Sequence, residues 1–314
     1  MVQATVALRV DVDTRRGLAE GVPRLLELFR RAGVRASFFV TMGPDRSGLA
    51  IRRAVQPSFL YKMWRTNPLK LYGVRTLLSG TLLPALPIGA GAPALLRQIA
   101  DEGHDLAPHG WDHVGWQDRI DRLAPSAIRD DLTRAARAFE TIFGLRPQAS
   151  AAPGWRTSPE ALVIQEDLGL RYASDTRGDA PFRPRVAGGP LKTIQVPTTM
   201  PTMDELLGRV RDLSGTLIDA LRPGVNVLTL HAEVEGGPLG PAIESFVERA
   251  RRARVAFTRL DEVAAAALAA GEDLPVAPVT QSLVAGRSGW ISAQGPADRP
   301  ASRPAKRPGV GVSE

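Results

Sequence analysis

The sequence predicts an α/β fold of the (β/α) barrel kind, closed or distorted, and three observations carry that expectation. The first segment alternates apolar and polar residues with the period of a strand; after it, strand and helix patterns follow one another almost to the end; and at 314 residues and 44% hydrophobic content the chain can bury a substantial core. Alternating β and α units require parallel strands joined by crossover helices. Such folds gather functional side chains at the carboxyl ends of their strands.

Residues 5–13 (TVALRVDVD) put Val6, Leu8, Val10 and Val12 on one face and Ala7, Arg9, Asp11 and Asp13 on the other. The next stretch repeats apolar residues at helical spacing (Val22, Leu25, Leu26, Phe29), and Gly33 stops it. A strand candidate covers residues 36–41. Further helices are expected near 93–102, 125–143, 159–168, 204–221, 241–252 and 260–270. Strands are expected near 104–109, 148–151, 170–174, 193–196, 225–230 and 254–258. The domain is therefore read as residues 1–270, with an insertion over about 46–92. The last 44 residues, from Gly271, hold six Pro and six Gly with no clear period and read as a flexible tail.

Composition excludes several kinds of chemistry. Without cysteine there is no disulfide, thiolate metal site or cysteine nucleophile. The start, MVQATVALRVDVD, lacks the basic and apolar regions of a signal peptide, and no apolar run reaches the ~20 residues of a membrane span, so a cytoplasmic protein is expected. The net charge is +7, yet residues 46–100 contain eight Lys or Arg and no Asp or Glu. The remainder is nearly neutral.

Four histidines are present, and three fall in patterns that fit together. His109 and His113 stand at i, i+4 in H-G-W-D-H, a spacing that sets two imidazoles on one face of a helical turn, facing one ion or simply sharing a surface. Asp11 and Asp13 repel each other at a strand end unless a cation separates them. A metal would do so, as would Arg9 on the same face. Two His and a carboxylate leave coordination positions for water and substrate. His231 ends the apolar strand L-T-L-H and is expected at the same rim; His104, on the strand before the metal motif, is expected to be structural.

The order Asp-x-Asp, His-x-x-x-His and Leu-x-Leu-His resembles the polysaccharide deacetylase superfamily, whose fold is a distorted (β/α) barrel. The strings VDVDTRRG, HGWDHVGWQ, GWR, SDTRGDAPFRP and LTLHAEVEG are similar to one branch, the 4-deoxy-4-formamido-L-arabinose-phosphoundecaprenol deformylases of lipid A modification and polymyxin resistance. The resemblance spans residues 5–268. It implies a metal-dependent amide hydrolase in which Asp13, His109 and His113 bind one divalent ion (Zn, Mn, Co or Fe), Asp11 is the general base and His231 the general acid. Asp175 matches a carboxylate that orients the catalytic histidine. The superfamily's Arg-x-Pro arginine, which pairs with the base, is missing: the matching stretch is SAAPGWR. Arg9 is expected to supply that charge, with Arg156 the competing candidate.

Substrate contacts are expected from Trp111, Trp155, Arg156, Arg177, Glu233 and Glu235, although rim packing and solvated loop acids are open alternatives for Trp111 and the two glutamates. In the insertion, Arg52, Arg53, Tyr61, Lys62, Trp64, Arg65 and Lys70 interleave charge with aromatic surface, which suits an anionic inner-membrane surface on its cytoplasmic side and a lipid-linked amino sugar. A nucleic-acid patch and an excursion packed on its own barrel are the alternatives to that membrane role. Neither nucleic acid nor an obligate protein partner is expected. Competing readings of the whole chain are an N-deacetylase of another amino sugar or polysaccharide and a noncatalytic lipid- or nucleic-acid-binding barrel.

Overall fold

The structure is a computed structural model that describes residues 4–55 and 68–298. Its strands are β1 (Ala4–Val12), β2 (Ser37–Val40), β3 (Asp105–Pro108), β4 (Ala149–Ser150), β5 (Tyr172–Ala173), β6 (Arg183–Val186), β7 (Gly189–Pro190), β8 (Ile194–Gln195), β9 (Gly224–His231), β10 (Ala256–Thr258), β11 (Val276–Leu283) and β12 (Trp290–Gln294). Strand β1 is the axis of the fold. It pairs in parallel with β9 along one side, and on the other with β10 over Thr5 to Ala7 and β2 over Arg9 to Val12. β2 continues to β3, and β4, β5 and β8 form a second parallel sheet. Backbone hydrogen bonds bridge both seams, from Ala151 N to Pro108 O (3.2 Å) and from Thr199 N to Val227 O (3.1 Å). The expected distorted α/β barrel is thus seven short parallel strands in the order β9, β1, β2, β3, β4, β5, β8, held weakly where the sheets meet.

Alternation along β1 separates two cores. Val6, Leu8, Val10 and Val12 pack outward with Leu25, Leu26 and Phe29 of the helix Val22–Ala32 and with Phe246 of the helix Gly240–Arg252. Ala7 points inward with Phe39, Ala107, Tyr172, Ile194 and Val227. Small residues at Ala7, Ala107, Ala149 and Ala151 leave room in this narrow interior for the fully buried Arg9.

Three expectations need correction. The helix expected over 204–221 is two short helices, Met203–Leu206 and Leu213–Asp219, the second capped by Asp212, whose side chain accepts from Gly215 N. The tail expected from Gly271 is not free over its first part. β11 and β12 form an antiparallel hairpin, β11 also pairs in parallel with β6, and Ala277 and Ile291 are buried. Residues 299–314 lie outside the described residues. Finally, His109 and His113 do not share a helical turn: His109 follows β3, Gly110 turns the chain at φ 73°, and His113 opens the helix His113–Arg119. Among the described residues no helix is long and apolar enough to cross a membrane.

Candidate active site and metal centre

Five of the seven strands in the ring deliver candidate side chains at or just beyond their carboxyl ends. Asp11 and Asp13 end β1, His109 follows β3, Ala151 to Trp155 follow β4, Asp175 to Arg177 follow β5, and His231 ends β9 in register opposite Asp11. Asp131 fixes the His109 to His113 loop by accepting from Trp111 N (2.8 Å) and Asp112 N (2.9 Å).

Asp13, His109 and His113 converge with their ligand atoms all within 4.8 Å of one another. His109 Nε2 lies 3.4 Å from Asp13 Oδ1, and His113 Nε2 lies 3.3 Å from Asp13 Oδ2. His109 Nδ1 donates to Ala151 O (2.9 Å), which fixes the tautomer with Nε2 as the free acceptor. Burial holds the His109 pKa down to about 4, so its imidazole is neutral near pH 7, the form a metal requires. Burial alone would raise Asp13, but His113 and His109 hold it well below the usual carboxylate range. Asp13 Oδ1 and His109 Nε2 are both buried without a hydrogen-bond partner. Two orphaned acceptors facing each other, with a third ligand beside them, fit a divalent cation.

Asp11 is gripped by Arg9, whose Nε donates to Oδ1 and Nη2 to Oδ2, each at 2.7 Å. The remaining guanidinium nitrogen donates to Ser174 O and to Ser174 Oγ (3.1 Å), and the group lies 5.1 Å from the Trp155 ring centre and 5.3 Å from that of Phe39. Arg156, the competing candidate, is turned elsewhere: Nε donates to Trp290 O, Nη1 donates to Gln117 O, and the group stacks on Trp290. It does not reach Asp11.

Asp175 differs from expectation. His231 Nδ1 is buried without a hydrogen-bond partner, so Asp175 does not orient it by hydrogen bonding. Asp175 instead accepts from Ala152 N (2.7 Å), Gln165 Nε2 (2.9 Å) and Gln195 Nε2 (3.2 Å), and burial raises its pKa. It therefore secures the backbone whose Ala151 carbonyl holds His109. His231 packs edge-on to Trp155, with ring centres 6.1 Å apart.

A cavity of about 250 Å³ opens over this centre, lined at the rim by Asp11, Asp13, His113, Trp155, His231 and Glu233. Its opposite wall comes from the insertion, through Ile51, Arg53, Leu71, Thr76 and Leu77, and Arg287 of the hairpin completes it. Trp155 holds a positive φ of 52° while almost fully buried, a strained conformation kept by its surroundings. Its Nε1 donates to Thr198 Oγ1 at 3.0 Å.

Not every expected contact reaches the cavity. Glu233 lines it, and burial raises its pKa well above the usual carboxylate range. Glu235 is buried behind it, accepting from His231 N at 2.6 Å, and burial pushes its pKa up to about 8. Trp111 lines a different cavity and packs under Arg134. Arg177 is occupied by Glu205 (2.8 Å) and Met200 O (2.7 Å). Arg53, expected at a lipid surface, pairs with Asp118 at 2.6 Å and faces the cavity instead. Tyr61, Lys62, Trp64 and Arg65 lie outside the described residues, as do the side chains of Arg52 and Lys70. His104 is structural, its Nδ1 accepting from Ala36 N at 3.0 Å. Asp204 also lines the cavity; neither it nor Arg287 carries a sequence signal, Arg287 because it sits in a Pro- and Gly-rich stretch and Asp204 because its short helix holds no functional motif.

Residues 2–173 match the family Polysaccharide deacetylase. The chain is 37% identical, over 92% of its length and 94% of the relative's, to the probable 4-deoxy-4-formamido-L-arabinose-phosphoundecaprenol deformylase ArnD of Shewanella sediminis. To the protein of the same name from Wigglesworthia glossinidia brevipalpis it is 31% identical, over 88% and 98%. Among solved structures, a chain from Mycobacterium smegmatis provisionally named a polysaccharide deacetylase superposes with a TM-score of 0.60 at 20% identity, covering 90% of this chain and 96% of that one. PuuE allantoinase superposes at 0.58 and 18% identity, covering 85% and 92%. These two likenesses concern the fold.

Proposed function

The chain belongs to the polysaccharide deacetylase family, and on that premise we propose that it hydrolyses the formamide of undecaprenyl-phosphate-linked 4-deoxy-4-formamido-L-arabinose, releasing formate and the free amino sugar for lipid A modification. The observation that carries this reading is the juxtaposition at one rim of an orphaned Asp13–His109–His113 cluster, an arginine-gripped Asp11 and His231 opposite it. The relatives named above supply the substrate.

Asp13, His109 and His113 would hold one divalent ion, for which Zn, Mn or Co suits the ligand set. When bound, such an ion acts as a Lewis acid toward the formyl oxygen and makes water more acidic. The chain's own groups do the rest. Asp11, held in place by two guanidinium donors, takes a proton from the attacking water. His231 then gives a proton to the leaving nitrogen, since an amine departs poorly unless protonated. Glu233, in the cavity wall, would meet the sugar or the new ammonium group.

We place the enzyme peripherally on the cytoplasmic face of the inner membrane. Eight basic residues and no acid between Arg46 and Ala100 support this, as do the exposed Leu69, Val74 and Leu82 of the insertion. Arg52, Tyr61, Lys62, Trp64, Arg65 and Lys70 would face the lipid. In flotation with anionic vesicles, changing Lys62, Arg65 and Lys70 to Gln weakens binding by roughly a hundredfold, at about 1 kcal/mol per charge; undiminished flotation counts against the placement.

The reaction is tested by loading the protein with defined metals and offering the lipid-linked formamido sugar. Formate and a free amine are expected in equal amounts. Acetate from the N-acetyl analogue, with no formate from the formamide, would make the chain a deacetylase instead.

A further inference from the structure

Two cations of the cavity keep donors that the protein leaves unused. Asp118 holds Arg53 at Nε, but Arg53 Nη2 is buried with no hydrogen-bond partner. Arg287 lies 4.4 Å from the Trp155 ring centre with its side chain 9% exposed. Its Nη1 is 3.5 Å from Glu205 Oε1 without forming a hydrogen bond, while that oxygen accepts from Arg177 at 2.8 Å. Both side chains line the cavity. Arg156 stands close to both, and its pKa is lowered by burial first and then by Arg53, with Arg287 adding to the effect. Asp118 and Asp121 offset part of this effect, yet one guanidinium nitrogen each of Arg53 and Arg287 is left without a hydrogen-bond partner.

A buried guanidinium N–H without an acceptor costs free energy that an incoming anion recovers. The anion's nature follows from the neighbours. Ile51, Leu71 and Leu77 form the apolar part of the same wall, and Ile51 is 64% exposed at its edge. A small inorganic anion makes no use of such surface, whereas a phosphodiester carrying a long hydrocarbon uses both. Arginine also matches phosphate oxygens in the bidentate geometry that a lysine lacks.

We propose that Arg53 and Arg287 receive the phosphodiester of the lipid-linked substrate while its isoprenoid chain leaves along Ile51, Leu71 and Leu77. This rests on the deformylase reading for the identity of the lipid, and it assigns substrate recognition to two segments outside the metal motifs. Arg287 then explains why the hairpin after the last barrel helix is built against the rim: it returns a cation to a cavity that the strands alone leave open on that side.

The test measures binding of undecaprenyl phosphate, with undecaprenol as the uncharged comparison, in dodecyl maltoside micelles by titration calorimetry on the full chain. The wild type binds the phosphate more tightly than the alcohol. Arg53→Gln and Arg287→Gln each weaken the phosphate about tenfold, as the loss of a charged hydrogen bond does, and leave the alcohol unmoved. Arg75→Gln, an exposed charge of the insertion that does not line this cavity, keeps wild-type affinity and excludes a general charge effect. Unchanged phosphate affinity in the double variant, or equal losses for phosphate and alcohol, overturns the proposal. Because the probe carries no formyl group, the two readings fail separately: phosphate selectivity without formate release supports this site and sinks the reaction, and formate release with selectivity unmoved by both variants does the reverse.

Discussion

The strand-end rim and the wall that faces it are built on opposite principles. The rim takes Asp11, Asp13 and His231 from the ends of β1 and β9 and His109 from the end of β3, so the backbone ladder sets their spacing. The wall takes Ile51, Arg53 and Leu71 from an insertion and Arg287 from a hairpin after the last barrel helix. Groups that must meet one reacting bond within a fraction of an ångström sit on the rigid lattice; groups that recognise a long flexible lipid sit on appended segments. Changes at the rim should therefore alter the rate of the chemical step or the metal, and changes in the wall should alter affinity.

The largest effect is expected for Asp11→Asn. It keeps the shape and one of the two arginine hydrogen bonds, since an amide nitrogen cannot accept the other, but it removes the base, and kcat for formate release should fall about 10²- to 10⁴-fold with metal stoichiometry intact. A kcat near wild type would move the base elsewhere. Arg9→Met comes next. Leaving Asp11 buried without its cation should destabilise the fold by about 3–5 kcal/mol in denaturant titration and lower kcat. If both the stability and the rate held, the proposed replacement for the superfamily's missing arginine would be wrong.

Asp175→Asn should act through His109, since Asp175 anchors Ala152 beside the carbonyl that fixes that imidazole. Metal affinity is expected to drop about 10- to 100-fold, with KM for the substrate little changed. A pure loss of stability at unchanged metal affinity would reduce Asp175 to packing. The smallest effect is at His104, far from both regions. Burial lowers its pKa from 6.5 to about 4, so the folded state binds this proton less readily than the unfolded chain. Its contribution is complete above pH 6.5 and lost as pH falls from there through 4. His104→Asn, which still offers Ala36 N an acceptor, should flatten that part of the stability curve; an unchanged slope would assign the acid sensitivity to other groups.

The sequence made the rim legible and the wall obscure, for physical reasons. Period-two alternation on β1 already separated Arg9, Asp11 and Asp13 from the apolar face, and L-T-L-H announced a histidine at a strand end. The rule that neighbouring carboxylates require a cation called for a metal or Arg9 beside the pair, and only the family resemblance divided them, Asp13 to the histidines and Asp11 to the role of base. The partner of Asp175 was not readable, because Gln165 and Gln195 reach it from separate elements and carry no motif. Arg287 was hidden differently. Pro275, Gly286 and Gly289 around β11 and β12, and Pro278 within β11, resemble a solvated tail, and the pairing of β11 with β6 that orders them is a long-range event with no local signature. The i, i+4 histidines were correctly paired but for the wrong reason, since Gly110 breaks the helix that the spacing suggested.

The proposed mechanism turns on one divalent ion shared by Asp13, His109 and His113, with Asp11 kept off that ion by Arg9 to act as the base. Anomalous diffraction from crystals grown with zinc tests this most directly. One peak is expected about 2.0–2.2 Å from a carboxylate oxygen of Asp13 and from Nε2 of both histidines, with Asp11 still held by Arg9. A peak coordinated by Asp11 in place of Asp13, or no peak at this cluster at saturating zinc, would contradict it.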